Sequence, residues 1–166
     1  MELSDGSGGR RCRGVVVEGM SIPYATARSG HGARAEIIKI LRHFGCESVG
    51  FLDEFEAHSL VLAFVWRGRQ IQLRAMAEGW ANVYLHEHPW TTRKRVSRQE
   101  WEEAALRQGM IAVNSILRDW VKGQVTAVET GILSFEHVFL PFMLTADGTP
   151  VIDSVRKMLP RPDGDE

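Results

Sequence analysis

Apolar positions first become regular at a helical spacing. Ala33, Ile37, Ile40, Leu41 and Phe44 fall on one face of a helix, and Arg34, Lys39 and Arg42 lie off it. The spacing predicts a helix over about Gly32–Phe44. Gly45 suits the left-handed residue that ends such a helix. Beyond it the period drops to two. Val49, Phe51 and Asp53 alternate with Gly50 and Leu52, which predicts a strand.

A hairpin follows, and its register can be derived. With Arg67-Gly68 as a two-residue loop, Trp66 faces Arg69, Phe64 faces Ile71, Leu62 faces Leu73 and Leu60 faces Ala75. The opposite face pairs Val65 with Gln70, Ala63 with Gln72 and Val61 with Arg74. A slip of one residue would mix the two faces, so the pattern selects this register. The first helix is expected to cover the Phe64/Ile71 face.

Glu78–His88 reads as a short helix carrying Trp80 and Tyr84, halted before Pro89. Thr91–Val96 reads as a basic loop. Ser97, with Glu100 three residues on, matches a capping box and opens the longest helix, about 98–122 and extendable to Thr130. Its expected buried stripe is Leu106, Met110, Val113, Leu117 and Trp120. Gly123 costs about 1 kcal/mol relative to Ala, which predicts a kink or break, and Gly131 is a natural stop. Val138–Leu144 reads as a fourth strand, Asp147-Gly148 as a turn, and Val151–Leu159 as a closing strand or short helix.

These elements predict an α+β fold: a helix, a three-stranded antiparallel meander and a long helix (α-β-β-β-α), with a C-terminal strand unit. Residues 1–21 are expected to be a disordered tail, 22–160 a single domain and 161–166 a polar tail. Within the first of these, Val15–Val17 is a short apolar island, and Met20 is a candidate for the true start. Double-stranded-RNA-binding domains and the cores of strand-annealing proteins share this element order. Element order does not fix function.

Composition narrows the chemistry. The 166 residues carry a formal charge of −1, so any nucleic-acid contact must come from a local basic patch. Cys12 and Cys46 form no C-x-x-C pair and imply no disulfide framework, which fits a reducing cytoplasm. No apolar run approaches the ~20 residues that span a bilayer, and the first residues lack the apolar stretch of a signal peptide. No membrane partner and no cofactor are expected.

The patch is Arg93-Lys94-Arg95, with Arg98 close by and Trp90 beside it. Cations next to an indole suit phosphate contact plus base stacking; a solvated loop balanced by Glu100, Glu102 and Glu103 is the alternative. Arg28, Arg34, Lys39, Arg42, Arg67, Arg69 and Arg74 add positive charge elsewhere. Ser29-Gly30-His31-Gly32 precedes a helix and can hold an anion on free amides, but it lacks the lysine of a nucleotide loop. His86-Glu87-His88 is the most metal-like cluster, yet residues two apart on a helix point ~200° away from each other. Cys46 lies at a helix C-terminus, where the dipole opposes a thiolate. Asp119 and Lys122 are spaced to pair within a helix turn. Neither Glu129 nor any of the six histidines sits at a familiar catalytic spacing. No catalytic residue is assigned and no intrinsic enzymatic activity is expected. Convergence of His86 or His88 with Glu129, Asp119 or Cys46 would reverse that.

Tyr24-Ala25-Thr26, Phe44-Gly45-Cys46, Trp66-Arg67-Gly68-Arg69, His88-Pro89-Trp90, Ser115–Gln124 and Glu129-Thr130-Gly131 together resemble a recurrent type of small bacteriophage or prophage protein. The likeness covers roughly residues 22–160, and the string Leu117–Gln124 carries most of it. It implies no activity, cofactor or catalytic residue. It implies a setting in phage nucleic-acid metabolism or host takeover, in the cytoplasm of a bacterial host. The leading expectation is therefore an accessory protein that binds DNA or RNA without strong sequence readout, through Trp90, Arg93, Lys94, Arg95 and Arg98. The alternative is a module that binds a host or phage protein through Trp80, Tyr84 and Trp90, as an inhibitor of a defence or replication factor would.

Overall fold

Ser29 opens the first helix, α1 (Gly30–Phe44), by accepting a hydrogen bond from the His31 amide through its side chain at 3.2 Å. Gly45 closes it with φ 94°, and its amide reaches back to the Arg42 and Leu41 carbonyls. Ala33, Ile37 and Leu41 are buried, as the stripe requires, and Ile40 and Phe44 are partly so. The computed structural model describes residues 22–156 and 158–160; the expectations for residues 1–21 and 161–166 fall outside them.

Strands β1 (Ser48–Glu54), β2 (Ser59–Trp66) and β3 (Arg69–Met76) form an antiparallel meander in the order β1-β2-β3. The β2–β3 register matches the derived one pair for pair, from Trp66 opposite Arg69 to Leu60 opposite Ala75. Arg67 (φ 49°) and Gly68 (φ 73°) both turn left-handed, as a two-residue hairpin of matching twist demands. Leu60, Leu62, Phe64, Ile71 and Leu73 face the core. Their cover is shared: Ile37 and Leu41 of α1 meet them, and so do Val113, Leu117 and Val121 of the long helix. On the other face Gly50, Leu52, Ala63, Gln70 and Arg74 are exposed.

Helix α2 (Ala77–Glu87) continues directly from β3 and stops before Pro89. Helix α3 (Arg98–Glu129) begins at the complete capping box of Ser97 and Glu100. Its 32 residues, at ~1.5 Å each, span roughly 48 Å. It runs unbroken through Gly123. Val121 and Val125, buried on either side of that glycine, supply packing that outweighs its propensity cost.

The buried stripe of α3 is displaced from expectation. Val113 and Leu117 are buried, but Leu106, Met110 and Trp120 are only partly so. The centre of the N-terminal half is Ala105, Gly109 and Ala112. A Cβ on Gly109 would stand 2.9 Å from the Ala77 carbonyl oxygen, so the small residues mark where α2 comes closest. The two neighbours run in opposite senses. Ala77 lies at Gly109 and Tyr84 at Trp101, so α2 is antiparallel to α3. Arg34 meets Asn114 and Glu36 meets Arg118, so α1 lies parallel to it.

The C-terminal region corrects one expectation. Val138–Leu144 is not a strand: α4 (Phe135–Phe139) and a 3-10 turn (Leu140–Phe142) occupy it. Phe135, Val138 and Phe139 are all buried and stand at i, i+3 and i+4, a helical spacing that starts before the apolar run does. Ser134 caps this helix and His137 completes its capping box. Only Met143 and Leu144 turn extended, making single bridges to Ile71 and Pro150. Gly148 (φ 80°) takes the turn, and α5 (Val151–Val155) is the short helix of the two options for the last segment. Among the described residues no helix is long and apolar enough to cross a membrane.

Candidate functional site

Two places gather polar groups. The first is the loop between α2 and α3, where the expected contact residues lie. The Trp90 indole N–H donates to the Val96 carbonyl at 2.9 Å, closing the loop on itself. The Trp101 indole N–H donates to the His88 carbonyl at 3.0 Å and ties the loop to α3. Lys94 places its ammonium 3.7 Å from the centre of the Trp101 ring. Arg98 pairs with Glu102 at 2.8 Å, one helical turn away. Of the five expected contact residues, Trp90 and Lys94 therefore hold the loop's shape, and Arg98 is paired within α3. Arg93 and Arg95 are exposed, with no acidic partner among the described residues.

The other candidate aromatics are also engaged. Trp80 stacks on Tyr84 at 5.5 Å, and its N–H donates to the Pro23 carbonyl. Tyr84 stacks on His88 at 4.6 Å and tilts against Trp101 at 6.0 Å. These rings form a half-buried ladder between α2 and α3. Three of the cations on the hairpin are likewise engaged. Arg69 pairs with Glu136 and Arg74 with Glu54, while Arg67 lies over the Trp66 ring.

The second place is a cleft of about 440 Å³ bounded by the first turn of α1, the turn from β1 into β2, and one face of α3. Its back wall is a locked network. Both terminal nitrogens of Arg34 donate to the two oxygens of Asp53, at 2.9 and 2.5 Å, and its Nε donates to Asn114 Oδ1 at 2.7 Å. Asn114, 3% exposed, uses its amide N–H on the Met110 carbonyl. The hydrogen bonds from Arg34 hold the Asp53 carboxyl below the usual carboxylate range, against its partial burial. Gly30 is required here, because a Cβ would stand 2.8 Å from the Asn114 amide nitrogen. His31, His58 and Arg107 line the opening, and Phe55, Met110 and Ile111 supply apolar surface. His58 has a left-handed backbone (φ 45°), and its carbonyl accepts from the Ala77 amide at 2.9 Å.

In the sequence His31 and His58 are isolated, and Arg34 lies off the apolar stripe of its helix. One signal was present: Asn114 is a polar residue next to Val113 on the stripe expected to be buried. The groups whose convergence was in question lie in separate environments. His88 stacks on Tyr84, and its ring faces the Tyr84 carbonyl. Asp119 pairs with Arg118 and accepts from the Tyr24 hydroxyl at 2.6 Å, in place of the expected Lys122 pair. Arg118 and then Tyr24 keep its carboxyl below the usual range. Glu129 lines a groove beside Phe44 and Trp66. Cys46 is half-buried, which pushes its thiol up to about 11. Among the described residues no three His, Cys, Asp or Glu side chains are placed to hold a metal ion.

No family model matches the chain, and neither a curated protein nor a solved structure matches it.

Proposed function

We propose that the protein is a phage-type accessory protein, acting in the bacterial cytoplasm, that binds nucleic acid through the phosphate backbone. The observation that carries the reading is the braced loop. Trp90, Lys94 and Trp101 fix its path, so Arg93 and Arg95 are presented without an acidic partner among the described residues and with little ordering entropy left to lose. Trp90 spends its edge N–H on Val96, which leaves base stacking to its ring face. Contact through two guanidiniums reads phosphate, not sequence. Labelled single- and double-stranded DNA and RNA, titrated at two salt concentrations, test it. Replacing Arg93 and Arg95 together by Ala should flatten the duplex-DNA salt slope by about 1.8, at ~0.9 per phosphate. No binding at low salt, or a slope unmoved by the double substitution, refutes it.

A second reading, a protein-interaction module, draws on exposed apolar side chains. Ile132 is 74% exposed, and Leu133 and Leu140 are also exposed. The Trp80–Tyr84 ladder no longer serves this reading, because it packs internally. Affinity capture from nuclease-treated host lysate, compared with an Ile132→Ser, Leu133→Ser chain, separates the two. A partner kept by the wild type and lost by that variant favours the second.

A further inference from the structure

The cleft beside α1 has no part in the loop's proposed role, and its composition says what would fill it. Its volume of about 440 Å³ lies within the ~300–1,000 Å³ of small-molecule sites. Arg34 and Asp53 neutralise each other through two parallel hydrogen bonds, and the Arg34 Nε goes to Asn114. The pair is a rigid wall and offers a ligand neither a spare carboxylate nor a spare cation. The other polar side chains of the lining are Arg107, His31 and His58. Arg107 has Glu103 no nearer than 4.0 Å, at the limit of an ion pair. The two imidazoles, His31 and His58, each bring a ring N–H, and the amide end of the α1 dipole lies at Gly30, the His31 amide being taken by Ser29. Beside them are Phe55, 82% exposed, and Met110 and Ile111, which share the α3 face of Arg107. An exposed phenyl ring at the mouth of a largely apolar cleft is an unpartnered surface that an apolar ligand body would cover. His58 stands in the turn between β1 and β2 with a left-handed backbone, its amide on the Phe55 carbonyl and its carbonyl accepting from Ala77.

We propose that this cleft is a binding site for a small amphipathic anion: one carboxylate or phosphate monoester joined to an aromatic or branched apolar body. The anionic end meets Arg107, His31, His58 and the first turn of α1. The body lies on Met110 and Ile111, beneath Phe55. A cation is disfavoured, because Asp53 is already neutralised by Arg34. A free inorganic anion is disfavoured, because it leaves the apolar wall uncovered.

The probe is 4-phenylbutyrate, titrated into the full-length ¹⁵N-labelled chain and followed by amide chemical shifts. The neutral 4-phenylbutyramide and inorganic phosphate are titrated in parallel. Saturable shifts should centre on Gly30, His31, Gly32 and Ile111, with the amide and phosphate each at least about tenfold weaker. Arg107→Gln, on an exposed side chain, should weaken the acid by about the same factor and leave the amide unchanged. Ile111→Trp, filling the apolar wall, should abolish both while the spectrum stays dispersed. Equal affinity for acid and amide overturns the proposal, as does saturation undiminished by Ile111→Trp. So do shifts centred elsewhere, or none that saturate by ~10 mM, weaker than the affinities of useful small-ligand sites. The acid–amide comparison needs no variant, so it stands even if a substitution unfolds the chain.

Discussion

Gly109 and Gly123 occupy the same helix, and replacing each by Ala should move stability in opposite directions. Both changes gain about 1 kcal/mol of helix propensity. At Gly123 nothing lies within 4 Å of the new Cβ, so that gain is the whole effect, and Gly123→Ala should be about 1 kcal/mol more stable. At Gly109 the new Cβ meets the Ala77 carbonyl oxygen at 2.9 Å and the Ala77 Cβ at 3.3 Å. The first is backbone at the start of α2 and cannot swing aside, so α2 must move off α3, an overpacking cost of ~1–3 kcal/mol. The difference between the two variants cancels the propensity gain and isolates that cost. Urea unfolding of the two variants and the wild type, read as midpoint at constant slope, measures it. A Gly109→Ala chain as stable as Gly123→Ala would refute the close approach of α2 to α3.

Asp53→Asn should cost about 1–2 kcal/mol, because a partly screened two-pronged charge pair loses its charge. The folded Asp53 carboxyl titrates below its unfolded value. Its contribution is therefore complete above the unfolded range near pH ~4 and is lost as pH falls through the lower folded value, so acid unfolding of the variant should be flatter there. Ser97→Ala should cost about 1 kcal/mol in urea unfolding by removing the cap of α3. In a Cys12→Ser chain, Cys46 should react with a disulfide reagent at pH 8 at least about tenfold more slowly than a free thiol, since a pKa of about 11 leaves far less thiolate, an effect only partly offset by that thiolate's higher nucleophilicity. A rate near that of a free thiol would contradict its burial.

The hairpin was legible because its two faces differ in every pair but the first, so one register alone keeps Leu60, Leu62 and Phe64 together. The capping boxes and Gly45 were legible because they act over three or four residues. The stripe of α3 was read too far toward its large side chains. Burial in its N-terminal half goes to Ala105, Gly109 and Ala112, whose smallness is what admits α2, and a pattern weighted by hydrophobicity passes over them. The α4 segment was missed because the apolar run was started at Val138 and not at Phe135. The basic loop was visible in the sequence, but not that Lys94 would be drawn onto Trp101 or Trp90 onto Val96. The cleft was invisible because His31, Asp53, His58 and Arg107 meet only after the sheet has turned twice and α3 has docked.

The parallel run of α1 beside α3 has a kinetic meaning. Arg34 and Asn114 are 80 residues apart in sequence, and the whole meander and α2 lie between them. Closing that loop carries an entropic cost, so α1 is expected to dock after the hairpin has offered Leu62, Phe64 and Ile71 as a surface. Folding should accordingly be slower than for a helical bundle of this length. The two ends of α3 then belong to different cooperative units. From Asn114 to Val125 its amides should exchange with solvent only on global opening, whereas residues 98–104, which pack toward α2 and the braced loop, should open on their own and much more often. A single unbroken helix would thus report two stabilities along its length, with the step near Gly109.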